Sequence, residues 1–288
     1  NMPIIEQTQM PEKTKRLIQN ERRSIQSARS NRFFGEKTVA VFPGDDIQKA
    51  INKLNEVLGG VVFLRNGTHY PKSSLTLYNN ISIVGETLNT TIDFGSAARQ
   101  IIINGSDNYS TGTVSVSNGG TLVTGVGTTW TSAMVGRKIL LNGIWYTISV
   151  FNSTTSLTIT QYSGIAISGG TYMIATTIAL VGLSNFIITN TTVPAIVMNY
   201  GLQNYIDGVE VQLGATIDKG LTIDYSSNVI IDDFRWKNTT QGIISTDSHY
   251  IRINNLQGIS TSSGSGIDMI RNTNCFVTNS NVNDSSTI

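Results

Sequence analysis

Cysteine, histidine, proline and charge are all scarce in this chain. There is one cysteine, and there are two histidines and five prolines, in 288 residues, and only 14% of positions are charged. The lone thiol, Cys275, excludes a disulfide framework and a cysteine metal cluster. Its place inside an apolar run predicts a buried, unreactive side chain. No P-loop, zinc spacing, Gly-x-Ser-x-Gly or histidine pair occurs. No apolar run approaches the length of a membrane span, so membrane insertion is not expected. The net charge is +1. Residues 1–37 carry a surplus of four positive charges and the remainder a surplus of three negative ones, so no broad basic field for nucleic acid forms. The N-terminus lacks the apolar core of a secretory signal. If Met2 is the native start, the chain is made without one; if Asn1 is a processed end, a signal has been removed.

In place of these features stand Thr, Ser, Asn and Gly between short β-branched runs. From residue 181 to 288, five similar lines follow one another, around Asn185, Asn204, Asn228, His249 and Asn274. These turn residues are 19, 24, 21 and 25 residues apart. Each line is a polar turn, a short β-branched or aromatic run and a second polar turn. Gly220-Leu-Thr-Ile, Gly242-Ile-Ile-Ser and Gly266-Ile-Asp-Met open alike. A period of this size with strand-length runs is that of a solenoid, in which one coil buries its apolar face only by stacking on the next. The fold class expected is all-β: a right-handed parallel β-helix, its hand taken from the rule for parallel crossovers. Ile206, Ile231, Ile253 and Val277 are expected to form one interior stack.

Residues 1–37 read as a charged helical arm with a thin apolar stripe at Leu17, Ile18, Ile25 and Ala28, either a solvated helix or an attachment arm. Residues 38–108 read as the cap and first coils. A strand at Val39–Phe42 is followed by a helix over 46–58 that Asp45 or Asp46 caps. Its apolar face is Ile47, Ala50, Ile51, Leu54 and Leu58, and Gly59-Gly60 stops it. Such a helix covers an open strand edge. Residues 109–176 break the coil period with six alternating strands, the pattern of a small inserted antiparallel barrel or sandwich. Coils resume over 177–288, and because Asp284–Ile288 stops within a turn, the sequence is expected to be part of a longer chain.

The segments Asp-Asp-Ile-Gln-Lys-Ala-Ile (45–51), Gly-Gly-Val-Val-Phe-Leu (59–64), Asn-Gly-Thr-His-Tyr (66–70) and Asn-Ile-Ser-Ile-Val-Gly-Glu (80–86) resemble the pectate-lyase-like β-helix superfamily. The resemblance is to the branch of phage tailspikes and tail appendages, strong over 38–104 and diffuse over 178–288. One departure is Arg65-Asn66 where the family has Pro before Gly. The pattern Gly127-Thr-Thr-Trp-Thr131, Val135-Gly136 and Trp145-Tyr146 resembles a small β module of phage structural proteins. The resemblance implies a virion-borne homotrimer that binds, and in some members depolymerises, cell-surface polysaccharide, held to a tail or baseplate protein by the N-terminal arm. A secreted monomeric polysaccharide lyase or glycoside hydrolase, and an adhesive β-helix without turnover, are the rival readings, because this superfamily hosts all three. No cofactor is expected, save Ca2+ for a lyase.

Stacking Ile206, Ile231 and Ile253 puts Asp207, Asp232 and Asn254 in one column, with Gly208, Asp233 and Asn255 beside it. Asp207 and Asp232 are the candidate catalytic pair, as two carboxylates one strand spacing apart. The competing reading is an Asn/Asp ladder bonded to its own backbone, and it is preferred. Trp130, Trp145, Tyr146, Arg235, Trp236 and Lys237 are candidate sugar-binding residues, the rings for stacking and the cations for an acidic sugar; core packing is preferred for Trp130, Trp145 and Tyr146. Asp224 and Asp268 are outward acids, and His249 is read as a turn substitution for Asn. The polygalacturonase pattern is not met, since Gly-His-Gly is absent.

Overall fold

The computed structural model describes residues 37–160, 162, 164–260 and 266–284. The arm expected over residues 1–37 lies, apart from Lys37, outside them.

The chain is a parallel β-solenoid of three faces. Face 1 is paired in parallel from Thr38–Val41 through Gly60–Leu64, Ile81–Gly85 and residues 182–184, 205–207, 230–232, 252–254 and 276–278. Coils therefore begin at Thr38, at the start of the segment expected to hold the cap and first coils. One register line on this face is Val39, Val62, Ile83, Leu183, Ile206, Ile231, Ile253 and Val277. From Val62 to Ile253 every member is fully buried, while Val277, on the last described coil, is 43% exposed. Face 2 carries His69, Ile92, Ile188, Val211, Trp236 and Gly258 inward, and face 3 carries Leu75, Ile101, Ile196, Leu221 and Ile243. Strand alternation decides all three columns, because a shift of one residue would turn every apolar side chain to solvent.

Lines of left-handed backbone mark corners between the faces. Asn185, Gly208, Asp233, Asn255 and Asn279 turn the chain from face 1 to face 2 at φ of 48–62°. Leu180, Gln203, Asn228, Tyr250 and Asn274 turn it into face 1 at φ of 53–58°. The expected alignment of Asn185, Asn204, Asn228, His249 and Asn274 thus mixes two corners. Asn185 and Asn228 occupy different ones, Asn204 points inward as a buried side chain, and His249 pairs with Ser227 and Thr273. Measured on the Leu183–Val277 line, the coils step by 23, 25, 22 and 24 residues.

Helix α1 (Ile47–Glu56) lies at the start of the solenoid. Asp46 caps it, accepting from Lys49 N at 3.1 Å, while Asp45 instead accepts from Phe42 N. Ile47, Ala50, Ile51 and Leu54 join the solenoid core. The helix ends two residues earlier than expected, because Leu58 turns left-handed at φ 67° and is 84% exposed rather than part of the apolar face.

Between the face 3 strand Ile101–Asn104 and the next coil, residues 106–176 form an antiparallel sheet of eight strands. The six expected strands are present, with Ser106–Tyr109 and Ile167–Gly170 added. The long strand Ile144–Ser153 pairs at one end with Lys138–Leu141 and at the other with Ser156–Ile159. This module has its own core, separate from that of the solenoid. The solenoid resumes in register, residues 196–199 pairing with 101–104.

Candidate functional site

Face 1 presents two outward columns beside its buried line. The first runs Ser82, Gly182, Tyr205, Ile230, Arg252 and Phe276; the second runs Val84, Ser184, Asp207, Asp232, Asn254 and Thr278. Along these columns lies an open groove of about 1330 Å³. The end of α1 (residues 57–60) and Lys37 bound it at the start of the solenoid. The corner residues Asn80, Leu180, Gln203 and Asn228 form one side, and Tyr205, Ile230, Arg252, Asp232, Asn254 and Thr278 form the floor. An aromatic ring, an aliphatic side chain, a guanidinium and several amides and hydroxyls thus face one trough. That mixture suits a polyhydroxylated ligand with an apolar ring face.

Asp207 and Asp232 are register partners on adjacent strands, as expected. Their column is hydrogen-bonded along the solenoid axis. The Asn254 amide donates to Asp232 Oδ1 at 2.9 Å, and Thr278 Oγ1 and Asn279 Nδ2 both donate to Asn254 Oδ1 at 2.9 Å. Beside it, Asn255 donates to Asp233 Oδ1 at 3.2 Å. A carboxylate that accepts such a bond is stabilised in place, here by side chains of the next coil rather than by the backbone bonds expected of the ladder.

The expected sugar-binding side chains do not gather at this groove. Arg235 and Lys237 sit on face 2, around the corner from Asp232, and Arg235 is bound by Asp233 at 2.9 and 3.0 Å. Trp236, between them, points inward and is buried. The glycines that flank it explain the fit. A Cβ on Gly258 would lie 1.9 Å from the Trp236 ring and one on Gly242 2.1 Å, so both positions stay bare to admit the indole. Trp130 is buried in the module, its Nε1 donating to Tyr172 Oη at 3.0 Å, and Tyr146 packs on Tyr162 in the same core. These three rings are closed to a sugar. Trp145 is buried as well, but against the solenoid: it meets Tyr200 edge-on at 6.4 Å and donates to Tyr225 O at 3.2 Å. It holds the module to the shaft.

Asp224 and Asp268 both belong to face 3. Burial pushes the Asp224 carboxyl up, and Asp268 accepts from Gln241. Cys275 is half-buried against the solenoid core, where burial raises its thiol. His249 is buried at the joint between shaft and module. It bonds Thr273 Oγ1 through Nδ1 and Asn274 Nδ2 through Nε2 (3.2 Å), and burial holds its imidazole below the ordinary value. Among the described residues no group of His, Cys, Asp and Glu is placed to hold a metal ion. No described helix is long and apolar enough to cross a membrane. Sequence reasoning missed Tyr205, Arg252 and Asn228 as groove residues. The alternation around Ile206 and Ile253 puts Tyr205 and Arg252 outward, which was the available signal.

No protein-family model matches the chain, and no curated protein matches it. Solved structures do. A Parabacteroides merdae protein provisionally described as a glycosyl hydrolase is 10% identical over 85% of this chain and 96% of its own, with a TM-score of 0.49. The gp54 tailspike of Acinetobacter baumannii bacteriophage AP22, described in complex with A. baumannii capsular saccharide, is 10% identical over 83% of this chain and 55% of its own, at 0.40. The tailspike gp61 of Pseudomonas phage phi297 is 11% identical over 83% and 57%, at 0.41. The chain thus spans little more than half the length of these two tailspikes. The solved structures to which it is similar thus include phage tailspikes.

Proposed function

We propose that this chain is a polysaccharide-binding β-helix of the tailspike kind, right-handed and carried on a virion as a homotrimer. In this reading residues 1–37 attach it to a tail or baseplate protein. The observation that carries the binding function is the face 1 groove. It is long rather than deep, it follows the solenoid axis, and its floor alternates Tyr205, Ile230 and Arg252 with Asp232 and Asn254. A linear polymer fits such a trough better than a compact metabolite does. Tyr205 and Ile230 offer apolar surface to sugar ring faces, and Arg252 and Asn254 offer donors and acceptors to hydroxyls.

Titration with purified capsular polysaccharides tests this. Arg252→Met weakens binding by about tenfold, the scale of one or two lost charge-assisted hydrogen bonds. Binding that Arg252→Met leaves untouched, or no binding of any bacterial polysaccharide, overturns the groove assignment. A molar mass in solution of one copy rather than three removes the trimer.

Asp232 belongs to the ladder in this reading and not to a catalytic pair. Asp232→Asn is then nearly silent for stability and for any release of oligosaccharide. A folded Asp232→Asn protein that binds its glycan and has lost a hundredfold or more in cleavage, the ordinary scale for a missing general acid or base, reverses the assignment.

A further inference from the structure

The module does not only dock on the shaft; it leaves a second cleft beside the contact. This cleft encloses about 500 Å³, inside the range of small-ligand sites. Its module wall includes Leu140, Met173 and Thr171, and its shaft wall includes Tyr225, Asp247 and Arg271. The three shaft residues stand one coil apart on a single corner, all with left-handed backbone at φ 48–51°. Asn or Gly adopts that conformation at least cost, whereas Tyr, Asp and Arg hold it here.

The polar groups of the cleft are fixed in one arrangement. Arg271 donates from Nε to Asp247 Oδ1 at 2.7 Å and from Nη2 to Oδ2 at 2.6 Å. Beside this pair the Tyr225 ring is stacked on Tyr200 at 5.7 Å. A guanidinium has five N–H donors, so Arg271 keeps unused ones, which have no partner among the described residues, and its side chain is 66% exposed. Because Asp247 cancels its charge, an anion gains no net attraction in this cleft. Hydroxyl groups gain from a rigid donor fork, and the Leu140 and Met173 side chains opposite present an apolar wall.

We propose that this cleft holds a single uncharged sugar residue, as a second saccharide site separate from the face 1 groove. The fork of Arg271 donates to adjacent hydroxyls, the Thr171 hydroxyl bonds from the other wall, and the ring face lies on Met173 and Leu140. The site exists only while the module is docked, so the module and the shaft each supply half of it.

Saturation-transfer NMR on the whole chain tests this with the methyl glycosides of glucose, galactose, mannose and N-acetylglucosamine, and with methyl glucuronide as the charged comparator. At least one neutral glycoside is expected to give a saturable signal that Arg271→Met and Thr171→Val each weaken by about tenfold. Arg252→Met, in the groove, is expected to leave that signal unchanged. Both substituted side chains in the cleft are on the surface, and an unchanged melting temperature confirms that the variants fold. The proposal is overturned if no neutral glycoside shows Arg271-dependent transfer, if only the glucuronide does, or if the signal follows Arg252 instead.

Discussion

In the shaft, Val62, Ile83, Leu183, Ile206, Ile231 and Ile253 stack one per coil, so face 1 of the core is a column of aliphatic side chains repeated by translation. In the module, Trp130, Tyr146, Tyr162 and Tyr172 fill the centre of an antiparallel sheet, with Trp130 edge-on to Tyr172 at 5.8 Å. The difference follows from shape. A coil meets its neighbours only above and below, so like must fit like along the axis, and small branched side chains do this along face 1 from Val62 to Ile253, while rings such as Phe186, Phe234 and Trp236 enter at other positions. A module of some seventy residues closes on itself and has few side chains with which to fill its centre, so it uses large rings whose polar atoms bond one another or the backbone. Tyr172 shows this, accepting from Trp130 Nε1 and donating to Thr111 O at 2.6 Å. The shaft is thereby extensible and the module is not.

The comparison breaks most sharply at Ile231. Ile231→Asp puts an unpaired carboxylate into a dry aliphatic column between Ile206 and Ile253. The expected cost is well over ~3 kcal/mol. In thermal unfolding the shaft transition drops by many degrees, whereas hydrogen-exchange protection of the module strands around the separate core of Trp130 is kept. A variant that melts like the parent would mean that Ile231 faces solvent.

The same column shows what the sequence made legible. Period-two alternation fixed Ile206, Ile231, Ile253 and Val277 on one line, and with them the outward Asp207, Asp232 and Asn254, because burial on one face leaves a strand no freedom of register. Turn residues are poorer guides. Asn185 and Asn228 are alike because both corners need left-handed backbone, not because they occupy one corner. Trp236 was misassigned although its neighbours Arg235 and Lys237 already required it to point inward. The groove was out of reach for another reason. Its walls come from Lys37, the end of α1, Asn80 and Gln203, which only the accumulated register of all the coils brings together.

The next prediction separates the two regions at their joint. Trp145 is a module side chain that reaches the shaft, edge-on to Tyr200 and bonded to Tyr225 O. Trp145→Ala removes that contact and neither core. It costs about 3 kcal/mol, the lower end for a buried tryptophan. Hydrogen exchange is expected to rise over residues 138–153 while the face 1 strands stay protected. Equal loss of protection in both regions would show that module and shaft fold as one unit.

The smallest effect concerns His249, which lies at the same joint. Its ring is buried against Tyr250 at 4.1 Å, a Cβ on Gly143 of the module would sit 3.0 Å from its Nδ1, and Asn274 and Thr273 occupy its two nitrogens. Among the described residues no carboxylate is bonded to it, so no partner there compensates a positive charge, and burial holds the folded imidazole below its ordinary pKa of 6.5. The unfolded chain takes up a proton near pH ~6.5, where the folded chain does not. The stability contribution is therefore complete above that pH and is lost as pH falls from there toward the lower folded value. Melting temperatures at pH 7.5 and 5.5 measure it. The parent is expected to lose several degrees between the two, and His249→Gln, which keeps a polar side chain at the position but cannot be charged, to lose distinctly less. Equal losses in the two proteins would place the acid sensitivity elsewhere.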